Sequence, residues 1–245
     1  MSQASRPRSI RLTTDRSRWW ALAVLCAGML MVVLDQTIVN VALPSIRADL
    51  GFSESSLAWV VNAYVVAFGG LLLLAGRLGD LVGRRRVLLA GLVVFTAASL
   101  LCGIATTPGQ LVAARFVQGV GGALASAVIL GMIVTLFPEP REQARAIGAF
   151  SFAAAAGGSI GNIAGGLLSQ VLSWNWVFFV NLPIGIAVVV LAVRLLDADR
   201  GIGLEKGADI VGAVLVTSGL MLGVYTIVGA ADHGWTSEHT LGLGA

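Results

Sequence analysis

Apolar runs of roughly 20 residues recur along this chain, and each is long enough to cross about 30 Å of hydrocarbon as an α-helix. The short connections between them carry nearly all the charge. In lipid a helix satisfies its own backbone polar groups, so repeated runs of this kind specify a helical bundle. Seven complete runs are legible, at 19–43, 56–76, 86–106, 110–137, 144–170, 175–196 and 209–231, and the residues after Thr240 open an eighth. The expected architecture is all-α and polytopic. It comprises a basic tail (1–18), a six-helix unit (19–196), a polar connection (197–208), and an extra span with an outer loop (209–245) that ends as the next span begins. The first run continues to Leu43 with no small-residue cleavage pattern, so it reads as a retained span and not a signal peptide.

Composition agrees. Hydrophobic residues make up 57% of the chain and charged residues 12%, against about 25% charged in a soluble domain. Too few polar residues are present to cover a water-exposed surface. All the Lys and Arg except Arg47 and Arg115 fall in four places. These are the tail (Arg6, Arg8, Arg11, Arg16, Arg18), the second connection (Arg77, Arg84, Arg85, Arg86), the fourth (Arg141, Arg145) and the sixth (Arg194, Arg200, Lys206). With seven spans these lie on one side, which the positive-inside rule makes cytoplasmic. The expected location is the inner (plasma) membrane, with a cytoplasmic N-terminus and the lipid bilayer as partner. The pI near 9.4 then reflects topology, and no nucleic-acid partner is expected. Trp19 and Trp20 mark the inner boundary, while Trp59, Trp174, Trp176 and Trp235 fall at outer boundaries, as in an interfacial aromatic belt.

Several chemistries are excluded. Cys26 and Cys102 sit inside apolar runs with no ligand spacing around them, so neither a metal nor a disulfide is expected. His233 and His239 fall in the outer loop, and the spans hold no paired carboxylates, His cluster or activated nucleophile. An enzyme is not expected. The glycines of Gly119-Val-Gly-Gly follow no strand, so they do not read as a phosphate cradle.

Two charges fall within spans, Asp35 in the first and Arg115 in the fourth. Such a charge costs at least about 2.5–3.5 kcal/mol at the bilayer centre. Arg115, Gln118 and Gly122 share one helix face, and Asp35 is followed by Gln36, Thr37 and Asn40. Polar faces on spans line protein or water, which makes Asn40 and Gln118 candidates for lining a cavity. Desolvation disfavours a charged carboxyl and a nearby cation favours it. An acid that alternates between those environments loads and releases protons, provided it faces a protein-lined space. The alternatives are a fixed Asp35–Arg115 strut, or an Arg115 that snorkels to an interface. Gly157, Gly161 and Gly165 repeat every four residues and permit close helix packing. The connection Gly76-Arg-Leu-Gly-Asp-Leu-Val-Gly-Arg-Arg-Arg holds Asp80 among its arginines. An anchor needs no acid, so Asp80 reads as a partner for Arg84 or another helix end, in a pair that forms in one gate state and breaks in another.

At these residues the sequence resembles a known family. Gly76–Arg86 resembles the loop motif shared across the major facilitator superfamily, and Arg115–Ala123 resembles its helix-4 motif. Leu34-Asp-Gln-Thr-Ile-Val-Asn-Val-Ala-Leu-Pro-Ser-Ile46 is similar to the helix-1 motif of the fourteen-helix drug:proton antiporters of EmrB/QacA type, and Trp174–Gly185 to the start of their helix 6. The resemblance covers about residues 19–235. It implies two six-helix bundles, each built of inverted three-helix repeats around a central cavity, with an extra helix pair between them. It implies efflux of cationic or amphipathic small molecules in exchange for protons, with the proton gradient as energy source and no cofactor. Asp35 and Arg115 match positions of proton coupling; Gly76, Arg77, Gly79, Asp80, Gly83, Arg84 and Arg85 match the gating loop. The sequence departs from the pattern at Asn162, where the helix-5 motif carries proline after glycine, and at Asn175, where arginine is common. A complete member is about twice this length, so a C-terminal half is the implied partner, in cis or in trans. The other reading is a truncated or split-transporter subunit without transport activity alone.

Overall fold

The computed structural model describes residues 15–199, 201–203, 210–234, 237 and 242. Arg6, Arg8, Arg11, Arg200, Lys206, Trp235 and His239 lie outside the described residues, as does all but Gly242 of the expected eighth span. Every regular element among the described residues is helical. They are α1 (Asp15–Leu50), α2 (Glu54–Leu57), α3 (Trp59–Val82), α4 (Arg84–Gly103), α5 (Pro108–Leu136), α6 (Pro140–Val171), α7 (Trp176–Phe179), α8 (Asn181–Leu195) and α9 (Ile210–His233). Six segments are long and apolar enough to cross a membrane: α1 from Arg16, α3, α4, α5, α6, and α7 with α8 taken together. They coincide with the first six apolar runs. The seventh run is the helix α9, whose apolar stretch among the described residues is the shorter Leu215–Ile227.

The helix ends follow local chemistry. Thr107 caps α5 by accepting a hydrogen bond from the Gln110 amide, and Pro108 opens the first turn with its φ already set. Pro183 lacks a donor and crowds the carbonyl four residues back, where α7 gives way to α8. Pro44 does not end α1 as the sequence reading expects at Leu43. The helix runs on to Leu50, with Ala42 and Ile46 fully buried on either side of the proline.

Helix pairing repeats within the bundle. α1 packs on α6 as α5 packs on α3, and α1 meets α8 as α5 meets α4. Each three-helix set thus places its first helix between the second and third of the other set. The α1–α6 seam depends on the predicted glycine stripe. A Cβ at Gly157, Gly161 or Gly165 would stand 2.9, 2.8 and 2.9 Å from the carbonyl oxygens of Leu30, Leu34 and Ile38. Three glycines on one helix therefore admit three successive carbonyls of the other. Asn162 leaves α6 unbroken.

Contacts define the two ends. At the basic end Arg18 Nη1 lies 3.3 Å from Glu142 Oε2, and Arg85 Nη2 donates to the Val193 carbonyl at 2.6 Å. At the opposite end Trp174 Nε1 donates to Asp49 Oδ2 at 2.7 Å, and Asn175 Nδ2 to the Gly103 carbonyl at 2.9 Å. Trp174 is buried, so it fastens α1 to the α6–α7 turn instead of joining an exposed belt. Trp20 and Trp176 are exposed, as an interfacial position requires. α9 docks on α3 at Gly69 and Gly70, where Met221 and Val224 close the notch and the Tyr225 ring lies tilted against Trp59, centroids 5.5 Å apart.

Two apolar clusters fill the bundle. One, near the basic end, holds Leu25, Met31, Leu92, Phe95, Ile129 and Phe137. The other holds Ile38, Ile46, Val60, Leu111, Val177 and Phe178. The buried polar residues of the bundle lie between them.

Candidate functional site

Asp35, Ser99, Arg115, Gln118 and Asn181 are the buried polar or charged residues among those described, and hydrogen bonds join all five. They come from four helices: Asp35 from α1, Ser99 from α4, Arg115 and Gln118 from α5, and Asn181 from the first position of α8. A chain that places charge between apolar clusters must pair it, because an unpartnered buried charge is prohibitive. The layer meets that demand. Arg115 Nη1 donates to Asp35 Oδ2 at 2.6 Å and to Gln118 Oε1 at 2.6 Å, and Arg115 Nε donates to the Val60 carbonyl at 3.0 Å. The other carboxylate oxygen, Asp35 Oδ1, accepts from Gln118 Nε2 at 2.8 Å and from Asn181 Nδ2 at 2.7 Å. Gln118 Nε2 also donates to Ser99 Oγ at 2.8 Å, and Ser99 donates onward to the Phe95 carbonyl at 2.9 Å. Aromatic faces complete the setting: the Arg115 guanidinium lies 4.5 Å from the Tyr64 ring centroid and 5.9 Å from that of Phe178.

This geometry removes one of the readings left open by sequence, the snorkelling arginine, and leaves a direct pair. Asp35 and Arg115 pair directly, and Arg115 is 1% exposed, so it does not snorkel to an interface. The expectation that Asp35 faces an open protein-lined space is not met in this conformation. Asp35 is completely buried, and its two oxygens accept from three donor side chains. It borders neither the cavity described below nor the shallow apolar hollow between Val93, Thr96, Leu182 and Ile186. Gln118 belongs to the sealed layer and lines neither space. Asn40 is exposed and stays outside the layer, its amide donating to the Gln36 carbonyl one turn back at 3.0 Å.

The arginine-rich connection forms a second constellation. Asp80 Oδ1 accepts from Arg84 Nη2 at 3.1 Å, as the motif suggested. Arg84 Nη1 reaches across to α5, donating to the Gly131 carbonyl at 2.8 Å and to Thr135 Oγ1 at 3.0 Å. Gly79 is buried against Val128. Gly83 turns the chain at φ 109°, in the left-handed region that favours glycine, with the Asp199 backbone packed over it. Gly76 faces open space.

Sequence reasoning missed three participants. Asn181 and Ser99 are isolated polar residues in apolar runs, and the need to satisfy each of them in lipid was the available signal. Asp199 lies in what reads as a plain linker. Its carboxylate accepts from the Arg84 and Arg85 amides at 2.5 and 3.0 Å and so caps α4 from a distant part of the chain. The Ile202 and Gly203 amides donate to the Asp80 and Leu81 carbonyls at 2.9 and 3.0 Å. Asp199, Ile202 and Gly203 thereby strap the loop, beside a cavity of about 280 Å³ lined by Asp80, Arg84, Met132, Leu196, Asp199 and Ile202.

Comparison with known proteins fits this architecture. The chain is 45% identical over 221 residues to the puromycin resistance protein of Streptomyces alboniger, covering 90% of this chain and 44% of that protein. It is 46% identical over 216 residues to the cephamycin export protein of Amycolatopsis lactamdurans, covering 88% of this chain and 44% of that protein. The chain thus spans less than half the length of these relatives. Its fold is similar to that of a bacterial homologue of the human lysosomal transporter Spinster, solved inward-facing and unoccupied. The TM-score is 0.62 at 19% identity, over 81% of this chain and 47% of that one. A sequence match to the major facilitator family extends from residue 25 to residue 229 and so takes in most of α1, the other five spans and most of α9. The chain belongs to the Major Facilitator Superfamily.

Proposed function

We propose that this chain is the N-terminal half of a proton-coupled exporter of small amphipathic or cationic compounds, of the fourteen-helix type. Its basic end then faces the cytoplasm across the plasma membrane. The observation that carries the export reading is the similarity over most of this chain to resistance and export proteins; the Asp35–Arg115 pair between the first helices of the two repeats, sealed in this conformation, is the candidate proton site. An ionisable residue buried among spans marks a functional site by default, proton relays among them. In the conformation described here the acid and the arginine are paired. Proton uptake requires the sealed layer to open transiently to water, because Asp35 is completely buried in this conformation. Substrate export against a gradient then draws on the membrane potential, about 2.3 kcal/mol per charge for each 100 mV.

The length match to relatives favours one further statement, that transport needs a second bundle and the 245 residues alone form an inactive half. The test is efflux of a fluorescent lipophilic cation from cells, with and without a proton uncoupler. Cells expressing this chain are compared with cells that also express a C-terminal half, joined or separate. Uncoupler-sensitive efflux is expected only with both halves, and Asp35→Asn is expected to abolish it. Coupled efflux that survives Asp35→Asn removes the proton role of Asp35. Efflux by this chain alone removes the need for a second bundle.

A further inference from the structure

Asn181 is fully buried, and its Oδ1 is the one buried side-chain atom of the polar layer left without a hydrogen-bond partner. Its other amide atom, Nδ2, donates to Asp35 Oδ1 at 2.7 Å. This arrangement suits a charged carboxylate, which only accepts. A protonated Asp35 must donate, and buried donors need acceptors. The layer offers few. Arg115 is a donor only. Gln118 is locked, because its Oε1 accepts from Arg115 Nη1 and from Cys102 Sγ, at 2.6 and 3.6 Å, while its Nε2 serves both Asp35 and Ser99. Turning that amide over would set nitrogen against nitrogen at Arg115. Asn181 carries no such constraint, since the atom opposite Nδ2 holds nothing in place. A half-turn about its last side-chain torsion would bring Oδ1 to where Nδ2 now stands. The resulting 2.7 Å separation from Asp35 Oδ1 is ordinary for an O–H···O bond.

We propose that Asn181 is the proton-dependent switch of this layer: its amide donates to Asp35 while that carboxyl is charged and turns over to accept from it when the carboxyl is protonated. The inference rests on the reading that Asp35 exchanges protons. The step balances simply. A proton adds to Asp35 Oδ1, the N–H···O bond from Asn181 is lost, and an O–H···O bond to Asn181 replaces it. The turn costs no hydrogen bond on the far side of the amide, where none exists. The titratable groups facing Asp35 are Arg115 from α5, Tyr64 from α3 and Cys102 from α4; α6 presents glycine backbone to this stretch of α1. Asn181 is a positioning residue, and its place at the first turn of α8, two residues before Pro183, lets the proton state of α1 be felt at the break between α7 and α8.

Infrared difference spectroscopy tests this on the chain in lipid bilayers, comparing low with neutral pH. A protonated-carboxyl band that disappears in Asp35→Asn is expected to rise together with a side-chain amide band that disappears in the isosteric Asn181→Leu. The two should share one titration curve. In Asn181→Leu the carboxyl band should persist at a different frequency. If that variant does not fold, asparagine carbonyl-labelled at position 181 alone gives the amide signal, which should vanish in Asp35→Ala. An Asp35 band that titrates with a silent amide overturns the switch and leaves the proton reading standing. An Asp35 that never titrates overturns both.

Discussion

At the scale of single residues, the Asp35–Arg115 pair carries more consequence than any other contact. A buried ion pair loses most of its Coulombic gain to desolvation, yet removing one partner is severe because the other remains charged. Arg115→Met is therefore expected to lower stability by about 3–5 kcal/mol, read as a fall in the thermal unfolding midpoint of the purified protein. Adding Asp35→Leu should recover most of that loss, because two apolar side chains replace two charges. Expressed together with a C-terminal half, the double variant should still lack export. A double variant that regained both stability and export would reduce the pair to a strut. The same logic explains why Asn40 stands apart: an exposed amide that bonds within its own helix takes on no obligation to the layer.

At the scale of elements, two seams are tight enough to test. The α1–α6 seam leaves no room for a side chain at Gly161, whose added Cβ would meet Thr37 and the Leu34 carbonyl. Gly161→Leu is expected to cost at least the 1–3 kcal/mol typical of overpacking, at about the upper end because backbone is struck. Gly148, on the same helix with nothing within 4 Å of its added Cβ, is the control. Gly148→Ala should be neutral or stabilising by about 1 kcal/mol through helix propensity. The second seam is the strap beneath the arginine-rich loop. Asp199→Ala removes the cap of α4, a loss of about 0.5–2 kcal/mol for such caps. Limited proteolysis should then cut the 199–203 segment faster while the six spans stay protected.

For the whole molecule, the paired repeats put α1 and α5 at the centre and leave α3, α4, α6 and α8 around them. Two charges on the two central helices meet only if both repeats are folded and joined. Assembly of the six-helix unit and formation of the site are therefore one event. Orientation is tested with membrane-impermeant thiol reagents. Glu54→Cys, exposed at the end opposite the arginines, should label from outside intact cells. Glu142→Cys, at the basic end beside Arg18, should label only after the membrane is opened. The reverse pattern would invert the proposed topology.

Sequence by itself determined the helical type and the places of the six membrane-crossing segments, and the segregation of charge between the two ends; the seventh run became a helix with a shorter apolar stretch, Leu215–Ile227. Hydrocarbon demands long apolar helices, and insertion reads Lys and Arg locally, so both properties are written in consecutive residues. It also named Asp35, Arg115, Gln118 and the glycines of α6, because charge or spacing in an apolar run is anomalous without reference to any neighbour. Tertiary structure alone decided which of these touch. Asp35 lies 80 residues from Arg115, 83 from Gln118 and 146 from Asn181 along the chain, and no local pattern encodes such closures. The capping of α4 by Asp199, 115 residues away from Arg84, was hidden for the same reason. A carboxylate in a polar connection looks solvated until the helix terminus that it serves is brought beside it.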